Sequence, residues 1–294
     1  MNKTPVGFDE ATDKIDYTFT NDYMFRVIMQ TNKLVLKGFI SSLLHIPFDK
    51  MKSVEIKNPI KLGETLDSKD FILDIHVLLN NDTHINLELQ VVDHHNWTDR
   101  SLSYLCRNFD HLYRGQEYEA ARPVIHIGIL DYVLFPEVPE FYASYQMLNV
   151  KNHYVFNDKF TLNVLCLKET KLATEEDQLW QIDTWANLFA AKTWRDIKMI
   201  AQNNEILTAA TKSLFEYNAD DIIRQQCQAR AEAERHERTM QKMLADKDLT
   251  IAEQSNTITE QSYTIAEQNT LLAEKDLRIQ ELETLLKNQQ STQN

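Results

Sequence analysis

Phe71-Ile72-Leu73-Asp74-Ile75-His76-Val77-Leu78-Leu79, then Asn80-Asn81-Asp82, then Thr83-His84-Ile85-Asn86-Leu87-Glu88-Leu89-Gln90-Val91-Val92: this stretch spells a β-hairpin. Phe71, Leu73, Ile75, Val77 and Leu79 alternate with Asp74 and His76, and Ile85, Leu87, Leu89 and Val91 alternate with Asn86, Glu88 and Gln90. Period-two alternation marks a half-buried strand. Asn80-Asn81-Asp82 suits a three-residue turn, because Asn and Asp tolerate the left-handed backbone such a loop needs. A loop at 80–82 pairs Leu79 with Thr83, and the register then sets His76 opposite Asn86 and Asp74 opposite Glu88. Directly opposed side chains have Cβ atoms about 4.5–5.5 Å apart, and like charges there repel. The carboxylate pair therefore asks for a counter-ion, and Mg²⁺ is commonly held by one or two carboxylates plus waters and phosphate oxygens. The same residues also read as a solvated sheet face with no metal.

The chain of 294 residues has room for one sizeable core plus an appendage. Five glycines and six prolines point to much regular structure and little loop. Cys106, Cys166 and Cys227 lie far apart, without CxxC spacing, so neither a disulfide framework nor a zinc ribbon is supported. The N-terminus lacks the apolar run of a signal peptide and no segment is apolar for about 18 residues, so a cytoplasmic protein with no membrane span is expected. A net charge of −13 argues against broad attraction to nucleic acid. Roughly half of that excess lies beyond residue 215, which leaves the globular part less acidic than the total.

Outward from the hairpin, Thr20 is read as the cap of a helix burying Phe25, Ile28 and Met29, and a second helix spans about Lys33–Leu44. Residues 52–60 read as a short strand. Thr98 is read as the cap of a helix with Leu102, Leu105, Phe109 and Leu112 as its apolar stripe, and with Arg100, Tyr104, Arg107 and His111 on the adjacent face. The unbroken apolar run after Pro123 reads as a central strand covered on both sides, and Phe160–Leu167 as another strand. Residues 175–217 read as helical, with Trp180, Trp185, Phe189 and Trp194 packing onto the sheet.

The tail repeats itself. Leu244, Ile251, Ile258, Ile265, Leu272, Ile279 and Leu286 recur every seven residues, which is the seam of a left-handed coiled coil. Gln254, Gln261 and Gln268 fill the second seam position, so association is supported without great stability. A single solvated helix remains the alternative. The expected division is a globular domain at 1–215, a charged helical linker at 216–243 and a heptad coiled coil at 244–290.

Several motifs carry a family likeness. Thr20-Asn21-Asp22-Tyr23-Met24-Phe25-Arg26, Lys69-Asp70-Phe71-Ile72-Leu73-Asp74, Glu88-Leu89-Gln90, Arg100-x-x-x-Tyr104, Gly115-Gln116-Glu117-Tyr118, Pro123–Leu130 and Leu167-Lys168-Glu169 follow one another in the order of the PD-(D/E)XK nuclease family transposases. Over roughly residues 14–195 the chain resembles that family, with Gln90 where the pattern has Lys.

The resemblance implies an α/β fold with a restriction-endonuclease-like αβββαβ core, added helices and the C-terminal coiled-coil helix. It implies a metal-dependent DNA endonuclease, with Mg²⁺ or Mn²⁺ held by Asp74, Glu88 and the carbonyl of Leu89. Gln90 would orient water without neutralising phosphate charge, and Lys69 or Arg100 would supply the missing charge. Asp22 either faces the same site or is a first-turn acid favoured by the helix dipole. Arg100 and Tyr104 would support the site. DNA is the expected substrate and a second copy the expected partner, through the tail. The rival expectation is a nuclease fold that has lost turnover and serves as a coiled-coil-assembled interaction module.

Overall fold

The computed structural model describes residues 7–60, 74–109 and 117–292. They form two compact units, Met1–Arg235 and His236–Asn294. The expectations for Lys69, Phe71–Leu73, Gly115-Gln116, His111 and Leu112 lie outside the described residues.

The first unit is built on a six-stranded mixed sheet. Its strands are β1 (Val54–Ile56), β2 (Ile75–Leu79), β3 (Thr83–Gln90), β4 (Val124–Leu130), β5 (Tyr142–Leu148) and β6 (Val155–Cys166), in the spatial order β1-β2-β3-β4-β6-β5. The first three form an antiparallel meander, β4 and β6 run parallel to β3, and β5 returns antiparallel along the edge. With α1 (Asp22–Thr31) ahead of the meander and α3 (Trp97–Phe109) between β3 and β4, the chain order is the αβββαβ core. A parallel step such as β3 to β4 needs a crossover, and α3 supplies it.

The hairpin has the register its sequence dictates. Leu79 pairs with Thr83, Val77 with Ile85, His76 with Asn86 and Ile75 with Leu87. Asn80 and Asn81 turn the corner at φ 52° and 58°, the left-handed region where Asn is among the least strained residues. The Pro123 run becomes β4, flanked by β3 and β6 and buried along almost its whole length.

One face of the sheet carries the main core. Ile75, Val77, Ile85, Leu87, Ile127 and Leu165 share it with α1, α2 (Lys33–Leu43) and, behind these, α5 (Ile182–Ala190), α6 (Trp194–Ala201) and α7 (Glu205–Ala219). Phe39 of α2 stands at its centre, 5.0 Å from the ring of Trp185 and 5.5 Å from Phe189, and Phe19 stacks on Phe189 at 5.2 Å. Each such pair adds about 0.5–1.5 kcal/mol beyond its buried area. The tryptophan-rich segment therefore packs first onto α1 and α2, as a second layer, rather than straight onto the sheet. It is also not one helix: Gln181, at φ 59°, separates α4 (Glu175–Leu179) from α5.

Three boundaries differ from the sequence reading. Asn21, not Thr20, caps α1, its side chain accepting from Met24 N, while the Thr20 hydroxyl pairs with that of Thr18. α3 begins at Trp97, one residue before the expected cap, and its buried side is Trp97, Ser101 and Leu105, leaving Leu102 exposed. β5 was not anticipated, because an edge strand need not alternate when only part of it is covered.

α8 runs from Asp221 to Thr292. Asp220 caps it by accepting from the amides of Ile222 and Ile223. Its first turns belong to the first unit: Ile223 and Cys227 are buried, and Asn21 Nδ2 donates to the carbonyl of Cys227 at 3.0 Å. In the second unit the same helix leaves its heptad residues Leu244, Ile251, Ile258, Ile265, Leu272 and Ile279 between 53 and 62% exposed.

Candidate functional site

The face of the sheet opposite the main core is polar, and it is buried. Two rows of side chains cross the strands. His76, Asn86 and His126 form one, and Glu88 and Gly128 the next, with Asp74 one position beyond the last pair of β2 and β3 and therefore across from Glu88. Glu88 is 5% exposed, Asn86 1% and His126 0%, so this is no solvated sheet face.

α3 provides the cover. Trp97 lies against β4, where a Cβ on Gly128 would come within 2.0 Å of its ring, so the strand has glycine at the point of close approach. Trp97 also packs with Leu130, Val164 and Cys166 in a small separate apolar cluster. One turn on, Arg100 Nε reaches 2.8 Å from Glu88 Oε1, and Tyr104 stacks on the His126 ring at 6.1 Å and 12°. The spacing i, i+4 sets Arg100 and Tyr104 on the same side of the helix, above β3 and β4.

Asp74 is fixed through its main chain. The buried guanidinium of Arg26 donates to the Asp74 carbonyl and to Asn58, Asn58 Nδ2 donates to the same carbonyl at 3.0 Å, and Asn58 Oδ1 accepts from His76 N at 2.8 Å. Burial pulls the Arg26 pKa down to about 10, against the opposing pull of the Asp74 charge. At its carboxylate, Asp74 Oδ2 lies 2.8 Å from His76 Nε2.

The electrostatics follow from burial. Desolvation pushes the Glu88 carboxyl up to about 6, with Arg100 opposing the shift and the Asp74 charge adding to it. Burial pushes His126 down to about 4, so its imidazole is neutral at pH 7. Burial also raises the Tyr132 hydroxyl, with Asp93 and Glu88 contributing.

What sets this face apart is how many of its polar atoms have no hydrogen-bond partner among the described residues. Asp74 Oδ1, Glu88 Oε2, Gln90 Oε1, Asn86 Oδ1, His126 Nε2, Trp97 Nε1 and the Tyr132 hydroxyl are all in that state. A buried polar group without a partner costs about 1–3 kcal/mol, more when charged, and such groups point to a missing ion or water. Among the described residues no three His, Cys, Asp and Glu side chains form a metal-holding group. The donor chemistry nevertheless fits a hard cation, which takes carboxylate, amide and carbonyl oxygens. His84 N and Gln90 O both bond toward β4, so alternation turns the Leu89 carbonyl the other way, past the end of β2 and toward the side of Asp74.

The sequence-expected residues divide. Asp74, Glu88, Gln90, Arg100 and Tyr104 share this face. Asp22 is engaged elsewhere: Arg230 of α8 grips its carboxylate with Nε 2.9 Å from both oxygens and Nη2 on Oδ2. That pair ties α8 to the start of α1. Arg26, at the end of the same motif, is the one that reaches Asp74. His95 pairs locally with Asp93.

Arg26, Asn58, Asn86, His126 and Tyr132 were missed as site residues. His126 had a signal, since a histidine inside a strand apolar on both faces must be buried and partnered. Asn58 had none.

A family model described as PD-(D/E)XK nuclease family transposase matches residues 19–243. No curated protein and no solved structure matches the chain.

Proposed function

The chain belongs to the PD-(D/E)XK nuclease family transposases, and we propose that it is a metal-dependent DNA endonuclease whose phosphodiester cleavage promotes recombination or transposition. One observation carries this reading: two opposed, buried carboxylates, Asp74 and Glu88, each keep an oxygen without a partner.

Asp74, Glu88 and the Leu89 carbonyl would hold Mg²⁺ or Mn²⁺, which when bound supplies a Lewis acid for phosphate and lowers the pKa of water. The remaining work falls to the chain's own groups. Arg26 and Asn58 hold the main chain of Asp74, so its carboxylate is placed before any ligand arrives. Gln90 gives its Nε2 proton to the Val92 carbonyl at 3.0 Å, which fixes Oε1 as the free atom able to accept from an attacking water. Arg100, half-exposed beside Glu88, would take the neutralising role that Gln90 cannot fill. Tyr104 braces it, with the Arg100 guanidinium carbon 5.5 Å from the ring centre.

The test is cleavage of plasmid and single-stranded DNA with Mg²⁺ or Mn²⁺. Nicking by the wild type that disappears in Asp74→Ala and in Glu88→Ala supports the reading; cleavage surviving both overturns the site. A second reading, an interaction module without turnover, is favoured by Arg100 already occupying Glu88 Oε1. A folded wild type that neither cuts DNA nor binds Mn²⁺ would establish it.

The tail is proposed to pair two copies. No helix among the described residues is long and apolar enough to cross a membrane, and the chain is proposed to act in the cytoplasm. The exposed stripe from Leu244 to Ile279 is flanked at its nearest positions by Thr250, Ser255, Thr257, Ser262 and Thr264, while Glu253, Glu260 and Glu267 lie off the seam. Over residues 250–269 a second acidic copy can therefore approach without like-charge contact, while at either end Lys247 and Lys275 fill the second seam position. Parallel, in-register pairing sets Gln254, Gln261 and Gln268 against their own copies, amide to amide, whereas antiparallel pairing sets each against an isoleucine. Sedimentation of the full chain should show a dimer that Ile258→Lys dissociates; a wild-type monomer at micromolar concentration would sink the idea.

A further inference from the structure

We propose that His126, held by Asn86, is the positioning residue that turns Glu88 into a ligand, through an Nε2–H hydrogen bond to Glu88 Oε2. This rests on the reading of Glu88 as a metal ligand and deepens it.

The geometry is specific. Asn86 Nδ2 lies 3.0 Å from His126 Nδ1 and donates to it, which leaves the ring proton on Nε2. Nε2 is 3.6 Å from Glu88 Oε2, too far for a hydrogen bond, and neither atom has another partner among the described residues. The gap is also too short for a bridging water. A shift of the Glu88 carboxylate by about half an ångström makes the bond, and such bonds are often long before a ligand arrives.

The ring has little freedom to answer in any other way. Trp97 sits 5.5 Å from it, Tyr104 stacks on it, and Gly128 beside it lets Trp97 come down onto the strand. Glu88 is thereby divided between two donors, Arg100 at Oε1 and His126 at Oε2. Arg100 is half-exposed and free to follow a phosphate outward, while His126 is wholly buried and is not. The buried donor is the one that can keep Glu88 aimed when the exposed one leaves. Partners that orient a metal ligand from behind typically contribute about 10–100-fold in metal affinity.

Mn²⁺ titration of the full chain tests this, with melting temperature as the control for folding. We expect Glu88→Gln to abolish binding and His126→Phe and Asn86→Leu to weaken it by about 10-fold or more. His126→Gln, which keeps an N–H donor, should restore most of the affinity, a rescue that a merely space-filling role would not show. Binding abolished by Glu88→Gln but unchanged in folded His126→Phe overturns the positioning role alone. A wild type that binds no Mn²⁺ overturns the metal reading and this one with it. Should His126→Phe fail to fold, ¹⁵N-histidine spectra of the wild type decide: a proton on Nε2 supports the proposal, and a proton on Nδ1 overturns it.

Discussion

The two faces of one sheet follow opposite rules. On the side of α1 and α2, Ile75, Val77, Leu87 and Ile127 meet a ring-packed layer centred on Phe39, and Trp185 spends its one polar atom on Ser42 Oγ at 3.1 Å. On the side of α3, Asp74, Asn86, Glu88, Gln90 and His126 are just as buried, yet each keeps an atom without a partner. The first face stabilises the fold by removing apolar surface from water. The second carries desolvated polar groups that oppose folding, and it persists because the first face and the β ladder hold the strands in place. Strain of this kind collects at functional sites.

The sharpest way to break the contrast is to exchange the consequences of mutation. Phe39→Ala on the apolar face should cost about 3–5 kcal/mol in denaturant unfolding and leave the Mn²⁺ affinity of the remaining folded protein as it was. Glu88→Gln should do the reverse, reducing cleavage by about 100-fold or more, since it removes a ligand and not only its support, while leaving stability at pH 7 unchanged or raised. A loss of more than about 2 kcal/mol in Glu88→Gln would show that the polar face also holds the fold together.

The pH dependence of the metal-free chain sharpens the comparison further. Glu88 titrates near 6 when folded, against 4.5 as a free side chain. Between those values the folded state holds a proton that the unfolded state has released, so stability is fullest below 4.5 and falls as pH rises through 6. The shift corresponds to about 2 kcal/mol, to be read as the difference between wild type and Glu88→Gln in chelator. Equal slopes in the two proteins would remove the desolvation argument. The smallest effect belongs to Arg100→Gln: because Arg100 opposes the upward shift of Glu88, its loss should move the Glu88 midpoint still higher. Carboxyl titration by NMR would read this, and a downward move would show that Arg100 is not the controlling charge.

The hairpin register, the left-handed Asn80 and Asn81, the second helix and the central position of β4 were all legible, because each depends on neighbours in sequence or on a single period. Asp74, Glu88, Gln90, Arg100 and Tyr104 were legible as a constellation only through family order; alternation alone put three of them on one face and left open whether that face holds a metal or meets water. α3 closed that face, and although Leu105 was read as apolar, nothing in the local pattern marks Trp97 and Ser101 as lying with it on the buried side. The roles of Asp22 and Arg26 show the same limit. Both stand in one short motif on one helix, one turn apart, yet Asp22 meets an arginine 208 residues later and Arg26 meets the Asp74 carbonyl just ahead of β2.

By itself the sequence determined the hairpin and its register, the central strand, the heptad repeat and the chemical types at the candidate site, since periodicity and turn chemistry act over a few residues. Only the tertiary structure decided which polar residues are cut off from water and which charge each of them meets. Desolvation and ion pairing depend on distances through space, and the chain brings those about only once it has folded.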